Sequence, residues 1–136
     1  MRLELYQKET ARIAAQQSAL LAQARAALQQ KATLNSLEQA GVLHALQILI
    51  ENAIGKAKQL LHAKQYVVPV SGYDAFKALA TFGLMRPQEL TMWNAIIGLR
   101  NRIVHDYMNI DIDLVIGMIE QNKEQFVVDF LLKEFN

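Results

Sequence analysis

Arg100-Asn101-Arg102-Ile103-Val104-His105-Asp106-Tyr107 places a permanent cation, a group that titrates near neutral pH and a phenol within eight residues. A guanidinium forks around phosphate oxygens, and an imidazole moves protons at physiological pH. The chemistry this set fits is cleavage of a phosphodiester. In metal-free RNA cleavage the 2′-hydroxyl attacks the neighbouring phosphorus. A base must take its proton, an acid must protonate the leaving oxygen, and cations must hold the charge of the phosphorane. One chain supplies a single obvious histidine and arginine for these roles. A two-fold dimer that brought the segments together would supply two of each in one cleft.

Plainer readings stand beside this one. Arg100, Arg102 and His105 end an apolar stretch, where cations interact favourably with a helix macrodipole. Three such groups exceed what one helix end requires, and Ile103 and Val104 pin the backbone to a core while the polar groups project. Tyr107 could cover the core with its ring, and Asp106 alone is an ordinary loop acid. His44 has no second histidine at ligand spacing. His62 lies among Lys56, Lys58 and Lys64, which reads as a solvated basic face. Lys56, Lys58 and Arg102 are therefore the candidate RNA contacts. Asp106, Asp111 and Asp113 could attract a divalent ion, but helix capping already accounts for Asp111, and no metal or cofactor is assigned. Neither a glycine-rich phosphate loop nor a G-x-S-x-G elbow occurs.

The rest of the chain must hold that segment in place. With 136 residues, 52% of them hydrophobic and 20% charged, it has the length and composition of one globular domain, residues 1–136. Its 14 Lys and Arg against 13 Asp and Glu exclude nucleic-acid binding by bulk charge, so any RNA contact needs a local basic patch. Without cysteine there is no disulfide, thiolate zinc site or cysteine nucleophile. Residues 1–12 carry five charged side chains and no apolar leader core. No apolar run approaches the roughly 18 residues of a membrane span. A soluble, cytoplasmic protein without membrane contact is expected.

Periodicity predicts five helices and no strand. Residues from about Leu3 to about Gln30 lack glycine and proline and are rich in Ala, Gln and Leu. Thr33 to Ser36 offers a break and a cap. A second long helix carries Leu37, Leu46, Leu49, Ala53, Ala57 and Leu61 on its stripe, with Gly41 and Gly55 allowing close packing. Lys64 to Gly72 reads as a loop, Asp74 to Phe82 as a short helix, and Pro87 as the first position of the helix that ends near His105. Asn109 or Asp111 caps one last helix running through Phe130 and Leu131. Phe126, Val127, Val128, Phe130, Leu131 and Leu132 cover most of its circumference. That points to partners on more than one side, and hence to a homodimer.

The signature resembles the R-x-x-x-x-H-x-Y motif of HEPN-domain ribonucleases, and more narrowly the HepT toxins of HepT–MntA toxin–antitoxin systems. The resemblance extends to Ala45–Ala53, to Pro69 through Tyr73-Asp74-Ala75-Phe76, and to Met92–Leu99. It implies an all-α HEPN-type bundle forming a two-fold homodimer, with a composite active site at the dimer cleft. It implies the toxin of a type VII-like system: a metal-independent endoribonuclease acting on tRNA or mRNA. Arg100 and His105 would be catalytic, Asn101 would support the site, and Tyr107 would line it. It also implies an MntA-like nucleotidyltransferase antitoxin that uses ATP to adenylylate Tyr107. The alternative is a non-catalytic helical module that binds nucleotide or docks a nucleotidyltransferase. A third reading is a bare structural dimer.

Overall fold

The computed structural model describes residues 2–136. Six α-helices account for the fold among them: α1 (Leu3–Gln30), α2 (Ser36–Ala63), α3 (Gly72–Thr81), α4 (Leu90–His105), α5 (Ile112–Glu120) and α6 (Gln125–Leu132). Short 3₁₀ turns, Pro87–Glu89 and Tyr107–Asn109, bracket α4. No described helix is long and apolar enough to cross a membrane.

α2 is the central rod. It begins at a capping box in which the Asn35 side chain accepts from the Glu38 backbone N–H and Glu38 accepts from the Asn35 N–H, each at 2.8 Å. Its apolar residues bury against α1, α3, α4 and α6. Gly55 leaves room for the Tyr6 side chain of α1, whose hydroxyl would lie 2.5 Å from a Cβ at that position. Gly41 has open space around it, so the close packing expected at that glycine does not occur. Beside α2, Trp93 of α4 stacks on Phe76 of α3 with ring centroids 4.1 Å apart, and Phe126 and Phe130 of α6 pack against the indole at 5.0 and 5.1 Å. Aromatic pairs of this kind add about 0.5–1.5 kcal/mol beyond the area they bury.

The expected last helix is two. Asp111 caps α5 by accepting from the Leu114 N–H at 3.1 Å. The helix stops at Gln121, Asn122 turns left-handed at φ 57°, and α6 starts afresh at Gln125. Arg25 of α1 holds this corner, donating to the Ile119 carbonyl at 3.1 Å and to the buried Glu124 carboxylate. The break folds α6 back onto α1 and α2. Val127, Val128 and Leu131 become buried there, while Phe126 and Phe130 join the aromatic cluster. The apolar circumference of α6 is thus largely covered within the chain, and it is no argument for a second copy.

Candidate active site on helix α4

α4 is fastened to the core by Trp93, Ile97 and Ile103, all buried. That leaves Arg100 and Asn101 half-buried at one side and His105 exposed in the last turn. The helix ends where Asp106 leaves helical geometry (φ −145°, ψ 43°), and its N–H still closes on the Arg102 carbonyl at 2.8 Å. The next turn, Tyr107–Asn109, is clamped by an Asn109 side-chain bond to Asp106 at 2.7 Å. It presents Tyr107 at 48% and Met108 at 90% exposure.

Arg100 lies in an open groove of about 550 Å³ between α2, the start of α3 and α4, lined by Glu51, Lys58, Ser71, Tyr73 and Asn101 among others. Its Nε donates to Glu51 Oε2 at 3.0 Å, and Nη2 lies 3.0 Å from the same oxygen. Nη1 donates to Asn101 Oδ1 at 3.1 Å. Asn101 Nδ2 in turn donates to the Tyr73 hydroxyl at 3.3 Å. N–H groups on both terminal nitrogens remain for a phosphate, given the five donors of a guanidinium.

Arg100, Asn101 and Lys58 therefore come together, and His105 and Tyr107 do not join them within one chain. Five residues along a helix turn a side chain by about 140° and advance it by about 7.5 Å. His105 makes no hydrogen bond among the described residues, so its imidazole is open to solvent and to a partner. Lys58 donates to the Val70 carbonyl at the groove wall. Arg102 is exposed and borders a different groove, of about 260 Å³, which also contains Met92, Ile96, Leu99 and Leu114.

Lys56 is not a surface contact. Its side chain is fully buried, and its ammonium donates to the carbonyls of Phe130 (2.7 Å), Leu131 (3.2 Å) and Lys133 at the C-terminal end of α6. The rings of Phe130 and Phe135 lie 5.2 and 5.1 Å from it. Burial, with Lys133 nearby, pushes its pKa down to about 8, while Glu134 acts in the other direction. The basic face around His62 thus lacks Lys56. The missed signal is register: Lys56 sits three residues after Ala53 and four before Leu60, on the buried stripe of α2. Two further groove residues, Glu51 and Tyr73, carry no site signal in the sequence. No local pattern links them to α4; only the packing of α2 and α3 against it does.

Among the described residues no group of three or more His, Asp or Glu side chains is placed to hold a metal ion. Asp111 is engaged as the α5 cap and Asp106 with Asn109.

The ribonuclease HepT-like family matches residues 14–130, nearly the whole helical frame together with the signature. The chain belongs to this family. It is 31% identical to the mRNA nuclease HepT of Shewanella oneidensis over 88 residues, which span 65% of this chain and 66% of that protein. The fold matches the tri-AMPylated Shewanella oneidensis HEPN toxin solved in complex with MNT antitoxin. There the TM-score is 0.80 at 23% identity, over 95% of this chain and 98% of that one. A toxin–antitoxin crystal structure with AMP-PNP matches at TM-score 0.65 and 24% identity, over 88% and 97% of the two chains. A mutant MntA–HpeT toxin–antitoxin complex matches at 0.64 and 25%, over 90% and 98%. The all-helical HEPN architecture expected of this HepT-like chain is present, with six helices in place of five.

Proposed function

We propose that this HepT-like protein is a toxin endoribonuclease whose working site is built from two copies of α4 and held inactive by adenylylation of Tyr107. The observation that carries the reading is the arrangement on α4. Arg100 is oriented in an open groove with N–H groups to spare, while an unengaged His105 and an exposed Tyr107 stand at the same helix end. The relative named as an mRNA nuclease supports RNA as the substrate.

In the proposed reaction Arg100 binds a phosphate oxygen and stabilises the phosphorane. His105 of one copy takes the 2′-hydroxyl proton and His105 of the other protonates the leaving 5′-oxygen, so no metal is required. Asn101 holds Arg100, and Lys58 and Arg102 attract the RNA backbone. The turn of Arg100 and His105 away from each other favours a shared cleft. So does the exposed apolar surface on α4 and α5, where Met92 is 50% and Leu114 64% exposed beside the groove that Arg102 borders. Residues 1–136 act as a single domain in this scheme.

The partner is an MntA-like nucleotidyltransferase, the assembly in which the similar structures were solved. An adenylyl group on Tyr107 would put an anion two residues from His105 and fill the phosphate position by charge and bulk. The AMPylated state of the Shewanella toxin supports this route. The test is cleavage of total cellular RNA in EDTA by purified, unmodified protein beside His105→Ala and Arg100→Lys. Fragments are expected from wild type alone, since a point charge does not replace a planar fork. Equal cleavage by His105→Ala would refute the site. No cleavage by wild type of confirmed unmodified mass would favour a docking module.

A further inference from the structure

We propose that Glu51 is the positioning residue of Arg100, the central link of a five-residue chain that fixes the guanidinium before RNA arrives; this rests on the ribonuclease reading above. Glu51 Oε2 accepts from Arg100 Nε at 3.0 Å and from Gln47 Nε2 at 3.2 Å. Beyond Arg100 the chain continues through Asn101 to the Tyr73 hydroxyl at 3.1 and 3.3 Å. Three helices contribute: Gln47 and Glu51 from α2, Tyr73 from α3, Arg100 and Asn101 from α4. The backbone beneath Glu51 is immobilised by the buried Leu49, Ile50 and Ala53, so the carboxylate is held at a set height in the groove.

An ordinary exposed ion pair would merely decorate the surface. This one differs in being shielded, with 28% of the Arg100 and 34% of the Glu51 side chain exposed, and in being directed at both ends by amide hydrogen bonds. A free arginine samples many rotamers and must be ordered at each encounter with substrate. Here that ordering is complete in the folded chain, which is the condition for electrostatic stabilisation without reorganisation during reaction. Glu51 also offsets part of the arginine charge. That offset weakens attraction for the phosphodiester and for the phosphorane alike, so the catalytic gain from Glu51 lies in holding the guanidinium where the phosphorane charge develops. Glu51 therefore acts chiefly on kcat.

Steady-state cleavage of a fluorophore-labelled single-stranded RNA of mixed sequence tests this with wild type, Glu51→Gln, Arg100→Ala and the double variant. Glu51→Gln keeps the size of the side chain and removes its charge. Its kcat is expected to fall by about 10- to 100-fold, with KM unchanged or lower. The double variant is expected to be no slower than Arg100→Ala alone. Tyr73→Phe, which removes only the hydroxyl at the far end, is expected to lose a few-fold in kcat at unchanged thermal stability. A wild-type kcat for Glu51→Gln, or a further loss in the double variant, would overturn the proposal. The ¹⁵N-resolved Arg100 Nε–H signal decides the point independently of activity. It is expected to exchange slowly with solvent in wild type and fast in Glu51→Gln; fast exchange in both overturns the proposal. An inactive wild type with a slow Nε–H would remove the ribonuclease reading and leave the positioning intact.

Discussion

Lys56→Met separates a buried helix cap from an RNA contact. Methionine fills most of the aliphatic volume of lysine, so the change removes the ammonium without opening a large cavity. Three carbonyls lose their donor: Leu131 in a buried bond, Phe130 and Lys133 in partly buried ones. Hydrogen bonds to a charged group contribute about 1.5–3 kcal/mol apiece. Against them stands the desolvation of the ammonium, several kcal/mol, which the substitution relieves. What remains uncompensated is chiefly the buried Leu131 carbonyl, at about 1–3 kcal/mol, with a smaller share from two carbonyls that water can approach. A net loss of about 2–3 kcal/mol is expected, a substantial part of the roughly 5–15 kcal/mol that stabilises a domain. Urea unfolding at neutral pH measures it through a lower midpoint at unchanged slope. Lys58→Met, at a half-buried groove position, is expected to lose far less stability. RNA binding completes the comparison. A lysine on phosphate contributes about one unit to the slope of log affinity against log salt, so Lys58→Met should reduce that slope and Lys56→Met should not. A Lys56→Met protein as stable as wild type but with a reduced salt slope would refute the buried-cap account.

Three further outcomes follow from the same structure. Lys56 has a folded-state pKa of about 8 against 10.5 when free, so the unfolded chain binds more protons between those values and wild-type stability rises with pH there. Relative to Lys56→Met, wild type should therefore gain as pH rises from about 8 past 10.5, by at most about 3 kcal/mol, with a constant difference below pH 7; a flat difference throughout counts against the burial. Leu114→Arg puts a charge on the exposed α4–α5 surface and should yield a monomer by sedimentation together with loss of RNA cleavage, and a monomer that cuts at the wild-type rate would exclude a shared site. Co-expression with the cognate nucleotidyltransferase should raise the intact mass of wild type by adenylyl increments and leave Tyr107→Phe unmodified, and modification of Tyr107→Phe would place the acceptor elsewhere.

Much of the frame was legible because its signals are local. α1 and α2 follow from helix-forming runs with a break and a cap at Thr33 to Ser36 between them, and α4 ends where its apolar residues stop at His105. Asp111 could be read as a cap because a cap needs only its own neighbours. The signature on α4 likewise lies within eight residues. Within residues 112–132 the polar run Glu120 to Gln125, with Asn122 inside it, is the one local sign of a break, but a polar run also suits the solvated face of a continuous helix. Asn122 turns left-handed where Arg25, 94 residues from Ile119, reaches in from α1 to hold the corner. Nothing in a local window contains that contact.

The site divides along the same line. Residue type and helical spacing are properties of the chain, so the groups able to do phosphodiester chemistry and the helix that carries them are legible without a fold. Which of those groups meet depends on how the helices pack. Packing drew Lys56 into the core because the buried stripe of α2 passes through it and the free carbonyls at the end of α6 needed a donor. It brought Glu51 to Arg100 across 49 residues and Tyr73 to Asn101 across 28. It also left His105 and Tyr107 exposed at the end of α4, open to a partner. Contacts between side chains on different helices depend on how those helices pack. Packing is set by the summed burial of Trp93, Phe76, Leu49 and their neighbours, and no stretch of sequence around the site specifies it.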